Sequence, residues 1–358
     1  MPLIAELFAE FADIQLLAGR DIKRQHLLDA DVLLVRSVTR VDRALLEGTK
    51  VGFVGSATIG TDHIDRDYLH HSGIEFAHAP GCNAEAVVQY DLSVISRLMP
   101  AWQSKTLGII GCGNVGGRLY QRLCELDVNC KVYDPFLSTA DIADLSELDT
   151  VLGCDIVCLH TPLTHRGPFP TYHLLDRSRL QSIAPDTLII NAGRGAVIDN
   201  AALLELFQAG KRFRVALDVW ENEPAIDRSL LDYLAFATPH IAGYSLEGKI
   251  NGTKMVFEAF TQWAGLSAAE LSAPANTQPL ALKPASVTEA ILDCYDVAED
   301  HQRMVEAMAA AGSEQQDVAH SFDQLRKDYP VRREFSYYGI DSAVEDLAQY
   351  RSLGFSIL

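Results

Sequence analysis

No Cys-x-x-Cys pair occurs in this 358-residue chain, and its seven cysteines are odd in number. They sit in or beside apolar segments, with Cys154 and Cys158 flanking one of them. Most therefore read as buried thiols, not as a disulfide framework, and no metal site is expected. Cations are the minority charge: 30 Lys and Arg stand against 48 Asp and Glu, a net −18. That balance excludes nucleic acid and anionic membrane as partners, since both need a basic face. It also requires that an anionic substrate be held by a local cluster of cations. No run approaches the roughly 18 apolar residues of a spanning helix. No basic-then-apolar leader opens the chain, and neither repeats nor low-complexity tracts occur. The expectation is a reduced, cytoplasmic protein.

What is present is core-forming material, 48% hydrophobic, in a length that suits two or three domains. Thr106 to Ile110 is a short apolar, β-branched run that reads as a buried strand. Gly111, Gly113 and Gly116 follow on G-x-G-x-x-G spacing, with Asn114 and Val115 inside it, and helical periodicity continues to Leu126. Such a loop admits a pyrophosphate to the backbone and offers it the N–H groups of a helix start. A plain glycine turn has the same spacing, so context decides. A second run, Cys130 to Tyr133, ends in Asp134, where an acid takes the ribose hydroxyls and repels a 2′-phosphate. NAD is expected over NADP.

Before this loop, apolar runs at Val32–Val35, Val51–Val54 and Ile74–Phe76 alternate with helical stretches, which implies a parallel sheet covered by helices. Arg36, Ser37 and Thr58 lie just past two of these runs, where ligands collect in such sheets; ordinary loop residues also occupy such places. Ala84 to Leu98 is a long helical pattern leading to the glycine loop. Further strands are expected at Ile156–Leu159, Leu188–Asn191, Val215–Leu217 and Ala235–Ala237, with a helix at Ala201–Ala209. Gly248 to Ala264 is helical again. From Ser267 to Pro284 the composition turns to Ala, Ser and Pro, a linker. The tail shows helical patterns from Val287 to Ala311 and from Phe322 to Lys327, then a strand-like Arg332–Tyr338.

Three features follow the later strands. Asn191-Ala-Gly-Arg-Gly195 presents Arg194, whose fork of donors suits a carboxylate. Asp218 to Pro224 places Glu223 before a proline, and Thr238-Pro-His240 places a histidine after one. Singly, each has a bland explanation: a surface ion pair, a satisfied loop histidine, an acid in a turn. Together, a carboxylate clamp, a base and an acid to orient the base suit alcohol oxidation by hydride transfer.

These motifs, with His160-Thr-Pro-Leu163, resemble those of the D-isomer-specific 2-hydroxyacid dehydrogenases over most of the chain to about residue 265. The resemblance implies that Arg194 binds the substrate carboxylate while His240 and Glu223 handle the proton. It places Gly111, Gly113, Asn114, Val115, Gly116, Asp134, Thr161, Ala192, Gly193, Arg194, Asp218 and Gly243 at NAD. The string after His240, Ile241 to Lys249 and Gly252-Thr253, resembles one branch of that family, as do Val35–Thr39, Gly60–Asp65 and Ala79–Asn83. That branch oxidises a phosphorylated four-carbon hydroxy acid in vitamin B6 synthesis. It implies Ser37, Thr58 and Tyr244 at the substrate, with Arg36 and Lys249 as further candidates for the phosphate. Rival readings are oxidation of another phosphorylated acid, such as 3-phosphoglycerate, or a non-catalytic NAD(H) sensor.

The implied architecture is α/β with two doubly wound parallel-sheet domains. Residues 1–92, with a return helix at 243–266, form a flavodoxin-like substrate domain, and residues 93–242 form a Rossmann NAD domain. Residues 267–358 hold the linker and a small α+β domain that forms a homodimer. Relatives open with a short strand and an Asp-Glu-Asn step ahead of Met-Pro. This chain opens at Met1-Pro2, so the first sheet is expected to lack an interior strand, and a mis-assigned start or a truncated sequence is the preferred explanation.

Overall fold

The computed structural model describes residues 1–266 and 279–358. Most of the expected linker lies outside the described residues. The chain divides into two units, Met1–Asn83 with Ser245–Thr277, and Ala84–Tyr244 with Gln278–Leu358. The division falls at Asn83, where the sequence suggested about 92, and the tail belongs with the second unit.

In the first unit, β1 (Val32–Val35), β2 (Phe53–Ser56) and β3 (Glu75–His78) form a parallel sheet in the order β1-β2-β3. The helix Leu246–Ala264 starts where Ser245 accepts the Gly248 N–H and stops at Gly265, whose φ is 64°. Its Val256, Phe257 and Phe260 pack with Phe8 and Phe53. This is a helical-period apolar face that contributes about 1.5–3 kcal/mol per buried aromatic or aliphatic side chain. β1 pairs only with β2 among the described residues. Residues 13–18 form no strand, and Leu16 is 72% exposed.

The second unit is built on six parallel strands: β4 (Leu107–Ile110), β5 (Cys130–Tyr133), β6 (Ile156–Leu159), β7 (Leu188–Asn191), β8 (Arg214–Leu217) and β9 (Phe236–Ala237). Their order is β5-β4-β6-β7-β8-β9, so the chain reverses direction of travel at β4 and opens a crevice at its carboxyl end. Strands β4, β6 and β7 are buried at every position, as continuous apolar runs should be. The helix Ala84–Leu98 is almost wholly buried against this sheet, as its pattern foretold.

A third parallel sheet, β10 (Leu280–Leu282), β11 (Tyr338–Ile340) and β12 (Ser356–Ile357), belongs to the tail. Two expectations for the tail need correction. The helix from Val287 is two helices, Val287–Cys294 and Val297–Ala310, because Asp296 turns its side chain to cap the second one. Arg332–Tyr338 is not a strand: a 3₁₀ turn, Phe335–Tyr337, fills it, and β11 starts at Tyr338.

Candidate active site

The glycine loop stands at the carboxyl end of β4. A Cβ on Gly116 would lie 1.9 Å from the Gly111 oxygen, so only glycine lets the helix Gly116–Glu125 start this close to the turn. Gly113 and Asn114 are exposed. Asp134, at the end of β5, accepts the Cys112 N–H through Oδ2 at 2.9 Å and the Phe136 N–H through Oδ1 at 3.1 Å. Its carboxylate thus braces the loop, a role the sequence did not reveal. Thr161 follows β6, is 9% exposed, and its Oγ1 has no hydrogen-bond partner among the described residues. A buried orphan hydroxyl is costly unless a ligand satisfies it. Loop, acid and hydroxyl fit a dinucleotide.

Beyond β7, Asn191 shapes the next loop: its Oδ1 accepts the Gly193 N–H at 3.1 Å and its Nδ2 donates to the Arg194 oxygen at 3.0 Å. Arg194 is extended and donates from Nη1 to the Gly193 oxygen at 2.8 Å. Gly195 is required by a close approach of backbone. A Cβ there would lie 1.9 Å from the Trp220 carbonyl carbon, so glycine is needed because the loop carrying Glu223 packs on this backbone.

His173, absent from the sequence reading, ties the same two loops together. Its N–H donates to the Ala196 oxygen at 2.8 Å, and its Nε2 lies 2.8 Å from Glu221 Oε1. Glu221 in turn accepts the Asn200 N–H at 2.9 Å. No spacing in the sequence marks His173, because its partners are 48 and 23 residues away.

His240 and Glu223 meet as expected: Nδ1 is 2.6 Å from Oε2, and Glu223 Oε1 accepts the Trp220 N–H at 2.8 Å. Burial pushes the Glu223 carboxyl up, but the His240 charge and hydrogen bond, the Trp220 N–H and the Arg326 charge hold it below the usual carboxylate range. A carboxylate at Nδ1 fixes that nitrogen as the donor and leaves Nε2 to accept a proton. His240 has a φ of 57°, unusual for a side chain of its size. Asp218, 1% exposed, holds it there: its carboxylate accepts from Thr238 Oγ1 at 2.7 Å, Ile241 N at 2.8 Å and Ala242 N at 2.9 Å. Its side chain thus bonds the backbone beyond His240, and the resemblance places the same residue at NAD. Tyr244 stacks edge-on with Tyr329, ring centroids 5.8 Å apart.

The first unit has its own group. Arg36 and Ser37 follow β1. Thr58 follows β2 and donates to the Gly60 oxygen at 2.9 Å, with Ser56 Oγ 2.7 Å away and bonded to His63. Lys249 lies in the first turn of Leu246–Ala264.

A dinucleotide loop, an arginine and a histidine–glutamate pair at the ends of neighbouring strands define a nicotinamide-dependent dehydrogenase of hydroxy acids. Residues 91–242 match the D-isomer specific 2-hydroxyacid dehydrogenase, NAD binding domain, and residues 268–354 match a domain of unknown function. The chain is 44% identical to erythronate-4-phosphate dehydrogenase of Teredinibacter turnerae, covering 100% of this chain and 97% of that protein. It is 47% identical to the same enzyme of Chromohalobacter salexigens, covering 94% and 90%. Among solved structures, D-lactate dehydrogenase from Aquifex aeolicus, complexed with NAD and lactic acid, has the same fold. Its TM-score is 0.62 at 22% identity, over 74% of this chain and 92% of that one. The chain belongs to the erythronate-4-phosphate dehydrogenase family of NAD-dependent D-isomer-specific 2-hydroxyacid dehydrogenases.

Proposed function

We propose that the chain oxidises 4-phosphoerythronate at C2 to the 2-oxo acid, (R)-3-hydroxy-2-oxo-4-phosphooxybutanoate, a step of vitamin B6 synthesis, in the cytoplasm. The observation that carries this reading is the 2.6 Å contact of His240 Nδ1 with Glu223 Oε2, and the names of the relatives support the substrate. Arg194 takes the substrate carboxylate in a forked ion pair. His240 Nε2 accepts the proton of the C2 hydroxyl, and Glu223 stabilises the imidazolium that results. NAD, when bound, is the acceptor of the C2 hydride. The glycine loop, Asp134 and Thr161 hold it, together with the backbone of Ala192–Gly193 and of Gly243. Arg36, Ser37, Thr58, Tyr244 and Lys249 are the residues we assign to the substrate's hydroxyl and phosphate groups, with Lys249 the last of these in order of support.

The test is a panel of hydroxy acids offered with NAD, with NADH formation as the readout. Turnover should be highest with 4-phosphoerythronate and far lower with its dephosphorylated form. Preference for 3-phosphoglycerate would give the chain a different substrate, and binding of NADH without turnover of any acid would make it a sensor.

A homodimer formed through the C-terminal domain of residues 267–358 belongs to the same reading. Sedimentation of the intact chain as a monomer at micromolar concentration would reject it. Truncation near Ser267 is not a clean test, because Met304, Met308, Val318 and Phe322 share one core cluster with Ile110, Leu159 and Leu217.

A further inference from the structure

The helix Gln315–Lys327 lies in the region matching the domain of unknown function, outside the NAD binding domain. Its Arg326 side chain is 12% exposed, and its guanidinium lies 5.7 Å from the Tyr244 ring centroid. Tyr329 meets the same ring edge-on. Six residues past Arg326, the buried Arg332 donates from Nη2 to the Ala242 oxygen and, at 3.3 Å, to the Ala86 oxygen. Its own guanidinium lies 4.3 Å from the Tyr295 ring centroid. Ala242 and Tyr244 are the second and fourth residues after His240. The tail therefore holds the backbone behind His240 at the Ala242 oxygen, while Asp218 accepts the N–H groups of Ile241 and Ala242.

Arg326 has an acid nearby, Asp323, but at 4.0 Å and one turn back on the same helix. That separation suits only a weak pair. Its Nε is buried with no hydrogen-bond partner among the described residues. Its positive charge, after the His240 charge and hydrogen bond and the Trp220 N–H, helps hold the Glu223 carboxyl low. Asp218, whose charge interacts with that of His240, and Arg332, which interacts in turn with Asp218, are both buried and both hydrogen-bonded to the backbone.

We infer that the C-terminal region is a working part of the catalytic centre, with Arg326 as a positioning residue that sets the charge around the Glu223–His240 pair. The inference rests on the proton role given above to that pair. A cation beside the pair opposes uptake of a proton by His240. Removing it makes imidazolium easier to form, so the neutral base that oxidation requires disappears at a higher pH.

The experiment compares pH–rate profiles of the intact wild-type chain with Arg326→Gln, Arg326→Met and Arg326→Lys. NADH fluorescence titration and thermal melting serve as checks of folding. Arg326→Met retains an apolar stem on Tyr244, so it stands in if the Gln variant does not fold. The acid limb of oxidation should rise by about 0.5–1 pH unit, a roughly three- to tenfold change in proton affinity, in the Gln and Met variants. It should return toward wild type in the Lys variant, and NADH affinity should change little. An acid limb unmoved in a folded Gln or Met variant, or moved as far by Lys, would overturn the inference. Glu223→Gln, run alongside, separates the two claims. If its limb moves and that of Arg326→Gln does not, the role of Arg326 fails alone. If neither moves, the reading of the pair fails as well.

Discussion

At the scale of single residues, the conformation of His240 is costly and its surroundings supply the restraint. Its φ of 57° is held by Asp218, which takes the next two backbone N–H groups, and its ring is held by Glu223. Asp134 has an equally local part, since its two oxygens accept the Cys112 and Phe136 N–H groups. Asp134→Ala should weaken NAD binding and improve the NADP:NAD ratio, measured as the ratio of kcat/KM; an unchanged ratio would move the preference to another residue. For the phosphate, Arg36→Ala should damage use of the phosphorylated acid far more than use of its dephosphorylated form. Equal damage to both would place the phosphate elsewhere. Arg194, Glu223 and His240 were legible in the sequence because each lies in a recognisable string that follows a strand. The bonds of Asp218 to Thr238, Ile241 and Ala242 were not legible, because those donors surround it only after folding. His173 and Arg326 were not legible at all, one lying in a loop and the other on an ordinary helical pattern.

At the scale of elements, the longest well-read segment is the helix Ala84–Leu98, whose apolar positions predicted both of its ends. Its one buried acid, Asp91, is the part the apolar pattern could not explain. Asp91 Oδ2 lies 3.0 Å from Nε2 of His160, at the end of β6, and both side chains are nearly inaccessible. Burial raises the Asp91 carboxyl toward its neutral form, and His160 opposes that shift. Asp91→Ala should cost about 3 kcal/mol, the lower end for breaking a buried pair, read from urea unfolding. A loss under about 1 kcal/mol would show that the pair is not coupled. A shorter tie joins the starts of β4 and β6: Asp155 Oδ2 accepts the Thr106 N–H and hydroxyl, each at 2.8 Å. The elements misread from sequence lie in the tail. There Asp296 caps a helix that the periodicity ran through, and a 3₁₀ turn occupies an extended-looking run.

At the scale of the whole molecule, 48 acids against 30 bases make the response to acid a general property. Asp155 is held below the usual range by the Thr106 N–H and hydroxyl, and Glu223 is held low against its burial by His240, the Trp220 N–H and Arg326. A carboxyl whose folded value is depressed contributes stability above its unfolded value, about 4. That contribution is lost as pH falls through the folded value. Asp91 and Asp218, raised chiefly by burial, act in the opposite sense. Melting temperature should therefore fall as pH drops below about 4, and Asp155→Asn should flatten the fall. An unchanged slope would place the acid sensitivity in other carboxyls. The parallel order of strands and the strand–helix alternation were readable from apolar runs. The union of the tail with the NAD domain was not, because Met304, Met308, Val318 and Phe322 look like any amphipathic face until the sheet that receives them is known.

The most direct test of the proton pair is the pH–rate profile of Glu223→Gln in both directions of the reaction. Gln keeps the approximate shape and removes the negative charge from beside the imidazole, so protonation of His240 becomes harder. The acid limb of oxidation should move to lower pH, and reductive activity, which needs the protonated ring, should fall away at lower pH than before. A drop in maximal rate alone would reflect lost orientation of the ring. Profiles that stay where the wild type has them, in a variant that still binds NADH, would contradict the pairing of His240 with Glu223 as the source of its chemistry.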